Sequence, residues 1–432
     1  MRGAMMLSFI HLSDIHFHKY SGDAYDIDHD LRCEIIRDIS YEYRKKISTI
    51  DGILICGDIA FSGDEQQYNS ATTFLNEICN ALNLDKSHVF CVPGNHDIDQ
   101  KITSSQMAVA LLQKKLDESK STTEFDLNLG KIFRKPEDAT VLCAPISCYN
   151  NFAAKYGCSF DQKPTWKQEI AINDTFTLCI FGINSAFISN EHDHKPDQTE
   201  RKMRISRMQI PERKENTVYL SLCHHPPECW VDPGKILSKK MDDRIAIQLY
   251  GHKHLQMIRK TSYGIVVGSG ATHPSRLESD WMPRYNWITI DIEFEKEVPT
   301  LIIKVYPRVL DDIESKFIPD GSINGEYLNF SFPLNDPTLP ERGEISEGDF
   351  NHLRDPEVLL VESWERRFLY DFMNLPYVIR EEILTSFGLH TDADVGKMHV
   401  ELLYDIVERA KEKACVEKLM ERITMEKERM LR

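Results

Sequence analysis

The stretch HVFCVPGNHD, residues 88–97, runs from four apolar positions into a Pro-Gly turn and then into Asn95, His96 and Asp97. Turn chemistry accounts for Pro93 and Gly94 and welcomes Asn and Asp. It does not account for a histidine set between two hydrogen-bonding side chains where an apolar run ends. Four other stretches share the form. LSFIHLSDIH (7–16) ends on Asp14 and His16, and GILICGD (52–58) on Asp58. TVYLSLCHH (217–225) ends on His224 and His225, and IAIQLYGHKH (245–254) on His252 and His254. Each run has the length of a short buried strand and finishes in side chains that bind hard or borderline metals.

Helix-like stretches at 31–48, 66–83 and 101–118 fall among these strands, which makes the fold class α/β. Ligands gather where strands leave a layered sheet for their loops, so five strand ends can build one site. Any one piece is ordinary turn chemistry; five in order, carrying Asp, Asn and His, are a metal site. Cysteine is missing from the set, which disfavours a structural zinc site. Asp14, His16, Asp58, Asn95, His224, His252 and His254 are too many ligands for one ion and suit two. Paired divalent ions roughly 3.5–4 Å apart clamp the attacking and leaving oxygens of a phosphoryl displacement. A carboxylate must bridge them, and Asp58 stands alone on its strand end.

The ordered set D-x-H, G-D, G-N-H-D, H and G-H-x-H resembles the calcineurin-like metallophosphoesterase superfamily over residues 6–335. The resemblance implies a β-sandwich flanked by helices and a site for two divalent ions, Mn first, with Fe, Ni or Zn as alternatives. It implies that Asp14, His16 and His254 bind one ion, that Asn95, His224 and His252 bind the other, and that Asp58 bridges. His96 is then no ligand but the group that stabilises or protonates the leaving oxygen, with Asp97 orienting it. In CHHPP the first histidine, His224, is the expected ligand, and His225 lies in the outer shell or on the substrate side. After Gly57-Asp58 the chain reads IAFSGDEQQY and lacks the aspartate and arginine typical of protein Ser/Thr phosphatases. The pattern is closer to the phosphodiesterase and nuclease branches.

Net charge is −16, and the acid excess runs through both ends of the chain, against a dedicated nucleic-acid module. The densest basic stretch, RKMRISRMQIPERK (201–214), reads as an exposed helix before the strand at 217. Its alternative is a track for a polymer substrate, with Arg204 and Arg207 as contacts. EHDH (191–194) reads as a solvated loop, and the insert from 100 to 170 is a candidate cap over the site. Eleven cysteines, an odd number without a CxxC, point to reduced thiols and a cytosolic protein. No secretory signal and no membrane span is expected.

Residues 285–333 alternate as strands that complete the second sheet of a catalytic domain, 1–335, and a Pro- and acid-rich linker follows at 336–350. From 351 to 432 the pattern is helical, with stripes such as Phe368, Phe372, Leu375 and Ile379, Ile383, Phe387, the latter stopped by Gly388. FMNLPYVIREEILTSFGL and ELLYDIVERAKEKACVEKLMERI resemble the effector-associated, death-like adaptor domains of bacterial conflict systems. That resemblance implies self-association or a protein partner, and an antiviral defence role. The combined expectation is a cytosolic phosphodiesterase acting on nucleotides or nucleic acid, away from membranes. Its rivals are a small-molecule phosphomonoesterase and a catalytically inactive scaffold.

Overall fold

The computed structural model describes residues 6–334 except 20, 22–25, 27, 48, 194–201, 276–281, 296–297, 312–314, 322 and 324. Beyond these it describes 358–359, 368, 372, 375, 377–389, 406, 409–413 and 415–430. Contacts divide the chain into one unit of 1–275 and 281–360 and a second of 276–280 and 361–432.

The first unit is α/β, with two mixed sheets. One is built on β1 (Leu7–Leu12), β2 (Gly52–Ile55) and β3 (Val89–Cys91), all parallel. The other contains β4 (Thr165–Ala171), β5 (Thr177–Ile183), β6 (Thr217–Cys223) and β7 (Ile247–Tyr250), of which β5, β6 and β7 run parallel. It continues through β9 (Ile265–Gly268), which lies between β7 and β8 (Met257–Lys260). All six residues of β1 are buried, because β2 flanks it on one side and β10 (Arg284–Glu295) on the other. That explains an unbroken apolar run where a half-exposed strand would alternate.

Parallel neighbours need crossovers, and the helices supply them. The helix Glu65–Leu82 between β2 and β3 opens on a capping box at Asp64 and Gln67 and closes on Asn83 in the left-handed conformation. Tyr68, Ala71, Phe74, Leu75, Ile78 and Leu82 form its buried stripe. The 101–118 stretch is two helices, Gln100–Ser105 and Met107–Asp117, parted at Gln106 by extended backbone.

Two expectations need correction. The strands of 285–333 join the β1–β2–β3 sheet: β10 pairs with β1, β11 (Val298–Asp311) with β10, and β12 (Lys316–Pro319) and β13 (Leu328–Pro333) with β11. The opposite sheet is finished by β4, β8 and β9 instead. Strand alternation alone does not say which sheet a ribbon joins. The 201–214 stretch forms no helix among its described residues beyond one 3-10 turn, Arg207–Gln209, closed by Ser206 and Gln209 capping each other. The helices of the 100–156 insert cover the free edge of β3, where Tyr149 donates to the Cys91 carbonyl, and Gln113 of the insert donates to the carbonyls of Phe187 and Ser189.

A further strand, β14 (Val358–Leu359), lies on the β8 edge of the second sheet. In the second unit Phe368, Phe372, Leu375, Ile383, Leu384, Ile406, Ala410, Leu419 and Ile423 bury one another in a core of their own. Helix Tyr377–Ser386 is closed at Gly388, whose φ of 60° lets Leu389 N–H reach back to the Leu384 carbonyl. All eleven cysteines are free thiols, and among the described residues no helix is long and apolar enough to cross a membrane.

Candidate metal centre

The carboxyl ends of β1, β2 and β3 meet those of β6 and β7 across the two sheets. Backbone hydrogen bonds sew the loops together. Asp14 N–H donates to the Gly57 carbonyl, Ile15 and His16 to Asp58, Gly251 to His224, and His273 to Asp14. Five of the residues singled out by the motifs carry φ values of 50° to 70°: Asp14, His16, Asp58, His252 and His254. A left-handed residue with a Cβ costs on the order of 1–2 kcal/mol, and such strain collects where a side chain must be aimed. In D-x-H and H-x-H, left-handed turns at alternate residues put both side chains into one cleft.

Two glycines of the motifs exist for space. A Cβ at Gly94 would overlap the Asp58 carboxylate, and one at Gly251 would meet Ser13 Oγ and, at 2.8 Å, Asp14 Oδ2. Each glycine therefore lets a carboxylate come close against the neighbouring loop.

The donor atoms of Asp14, His16 and His254 lie within 4.8 Å of one another, with His254 Nε2 3.5 Å from both Asp14 Oδ1 and His16 Nε2. A second group forms around His224, whose Nε2 is 3.1 Å from Asn95 Oδ1 and 3.3 Å from Asp58 Oδ2. His252 and His225 gather with it. Asp58 falls within reach of both groups, clustering with Asp14 and His224 on one side and with His16 and His96 on the other. The structure thus brings together all seven residues read as ligands.

Electrostatics make this a cation site. Burial keeps His16 neutral, its pKa lowered to about 4, and pushes His225 well below the usual range. Neutral imidazole is the form that ligates. Burial resists the charged form of Asp14, yet His254 and His224 hold it at about 2. Asp58 is likewise ionised against burial, chiefly by the charge of His224 and His96. Burial opposes a charge on His224 too, but Asp58 and Asp14 overcome it and raise its pKa to about 9. Two buried carboxylates draw a proton onto the central histidine. A divalent ion would take the place of that proton, and the resulting set of neutral nitrogens, an amide oxygen and paired carboxylates suits two such ions.

Orientation comes from backbone carbonyls. His224 Nδ1 sits 2.8 Å from the Cys56 carbonyl, which can only accept, so Nδ1 carries a proton and Nε2 faces the carboxylates. His96 is held the same way, its Nδ1 2.9 Å from the Phe61 carbonyl, while its backbone N–H donates to Asp58 Oδ1 at 2.8 Å. His225 Nδ1 rests 2.7 Å from Ser185 Oγ, and its buried Nε2 has no hydrogen-bond partner among the described residues.

Two expectations fail here. Asp97 does not orient His96. It is fully buried and accepts from the backbone N–H of Ile59, Ala60 and Gly94 and from the Tyr68 hydroxyl. Burial and the nearby Asp58 charge raise its pKa to about 6. Its work is to clasp the β2 and β3 loops to each other. Arg204 and Arg207 are tied to the insert, Arg204 to Asp117 at 3.8 Å and Arg207 to Asp126 at 2.5 Å. Sequence reading also passed over Ser13, which donates to Asp14 at 2.6 Å, and Ser185. A serine at a strand end is too common to be a signal, and the carbonyls of Cys56 and Phe61 leave no trace in side-chain patterns.

The calcineurin-like phosphoesterase family profile matches residues 7–256. The uncharacterized metallophosphoesterase-like protein YydB of Bacillus subtilis is 32% identical over 110 residues, which is 25% of this chain and 21% of that protein. The chain therefore aligns with about a fifth of that relative's length. Among solved structures, a conserved protein of Streptococcus pneumoniae described as a predicted phosphoesterase shares 11% identity at a TM-score of 0.30, covering 76% of this chain and 98% of its own. Vps29 of Entamoeba histolytica complexed with zinc shares 11% at 0.30, covering 77% and 100%.

Proposed function

The chain belongs to the calcineurin-like phosphoesterase family, and from that premise we propose that it hydrolyses phosphodiesters of nucleotides with two divalent ions. The observation that carries the reading is Asp58, the carboxylate that clusters both with Asp14 and His224 and with His16 and His96. Asp14, His16 and His254 would hold one ion, and Asn95, His224 and His252 the other. Divalent ions held there supply positive charge to the phosphoryl oxygens and acidify water.

The chain's own residues do the rest. The Phe61 carbonyl keeps the proton on His96 Nδ1, so Nε2 is the nitrogen that exchanges its proton. Protonated at Nε2, His96 donates to the leaving oxygen as its bond to phosphorus breaks. Ser13 and the N–H of His252 hold the Asp14 carboxylate in place.

A diester is favoured over a monoester by what stands beside His96. A monoester carries a second negative charge that calls for further cations, whereas the turn after Asp58 buries Ile59 and Ala60 and presents the ring of Phe61. A nucleotide is favoured over a long polymer because Arg204, Arg207 and Lys214 already face Asp117, Asp126 and Glu169. The separate core of the second unit supports an interaction module that recruits a protein partner or a second copy, as an effector of a defence system would require.

The test is kcat/KM with added Mn for an aryl phosphodiester against the matching monoester. The diester should win by about 10-fold or more. A preference for the monoester would establish the phosphomonoesterase reading, and no hydrolysis with both ions bound would establish the scaffold.

A further inference from the structure

Next to His96 the chain carries a feature that phosphoryl transfer itself does not need. Ile59 and Ala60 are buried, but Phe61 directly after them is 44% exposed. Its ring centroid lies 4.3 Å from that of His18 at an interplanar angle of 36°, and 5.2 Å from that of His96 at 35°. Rings from three loops thus form one row that ends on His96, whose own ring is 4.8 Å from His16. Hydrogen bonds set the row. Phe61 N–H donates to the Phe17 carbonyl at 3.1 Å, and the Phe61 carbonyl holds His96 Nδ1. The carbonyl that holds His96 therefore belongs to the same backbone that carries the Phe61 ring.

Single exposed apolar side chains are normal on a protein surface. The placement of this one is the informative part. A substituent on the oxygen served by His96 must lie against His96, and the next ring along the row is Phe61. We propose that Phe61 and His18 form the subsite for that substituent and that it takes a flat aromatic group, the base of a nucleoside. This rests on the phosphodiester reading above and names the substrate class within it. Stacking explains the choice of ligand. A π-face recognises every base and gains little from an alkyl or glycerol group, which offers no such face. The subsite should therefore discriminate nucleoside from non-nucleoside esters while tolerating different bases.

Equilibrium binding tests this without turnover. Adenosine 5′-monophosphate and ribose 5-phosphate are titrated calorimetrically into the Mn-loaded full chain, with metal content measured on each sample. The nucleotide should bind roughly 10-fold more tightly than the sugar phosphate, in the range of one stacked base. In Phe61→Leu, which keeps apolar bulk but removes the ring, the two affinities should converge. Phe61→Trp should keep the preference, and the exposed His18→Ala should lose about half of it on a logarithmic scale. Equal affinities in the wild type would overturn the proposal, as would a preference that survives in metal-replete Phe61→Leu. Should Phe61→Leu lose its metal, His18→Ala decides by the same criterion. A ring-dependent preference in a protein that cleaves no diester would uphold the subsite and overturn the diesterase reading alone.

Discussion

At the scale of single residues, the site is a set of side chains whose chemistry is legible and whose aim is costly. Asp58 is buried, ionised and shared, so Asp58→Ala should weaken both ions at once. Replacing even an outer partner of a ligand costs about 10- to 100-fold in metal affinity, and loss of a shared carboxylate should exceed that. Metal analysis after gel filtration should find neither ion, with turnover at background; retention of one full equivalent would remove Asp58 from the bridge. His96→Ala should instead keep both ions and slow turnover by about 10²–10⁴-fold. The loss should shrink as the leaving group becomes more acidic, since a good leaving group needs no proton. An equal loss across leaving groups would mean that His96 binds substrate rather than donating to it.

The element scale shows why these residues meet. Strands β1, β2 and β3 of one sheet and β6 and β7 of the other end in tight loops, and the loops are cross-tied by their backbones. Asp97 is the strongest tie, gathering three N–H groups and a hydroxyl around one buried carboxylate. Asp97→Ala leaves those donors unpaired and should cost on the order of 3 kcal/mol, visible in a denaturant melt. His96→Ala should melt close to wild type by comparison. If Asp97→Ala melted normally but lost the leaving-group dependence of the rate, Asp97 would be the orienting residue after all.

For the whole molecule, the boundary between units matters more than the composition of the linker. Val358 and Leu359 add a strand to β8, so a cut at 349 strips a paired edge that a cut after Leu360 preserves. The fragment ending at 360 should therefore hydrolyse a small diester at close to the full-length rate and melt above the fragment ending at 349. Sedimentation of the 1–360 fragment should show self-association lost if the helical unit carries it. An unchanged oligomeric state would leave that unit a passive bundle.

The fold class and the side chains that cluster in the cleft were readable from the chain because both depend on local pattern. Apolar runs ending in Asp, Asn and His declare strand ends with metal-binding chemistry, and Gly388 declares the end of its helix, without knowledge of neighbours. Tertiary structure decided everything that depends on which loop lies beside which. The 285–333 ribbon could join either sheet until β10 paired with β1. Asp97 sits next to His96 in sequence, yet its side chain turns away to the β2 loop, and a backbone carbonyl from that loop takes over His96. Arg204 and Arg207 looked like substrate contacts until the insert brought Asp117 and Asp126 against them. Local sequence carries a residue's chemistry and preferred backbone, but hydrogen bonds and ion pairs between distant segments exist only once the chain has closed.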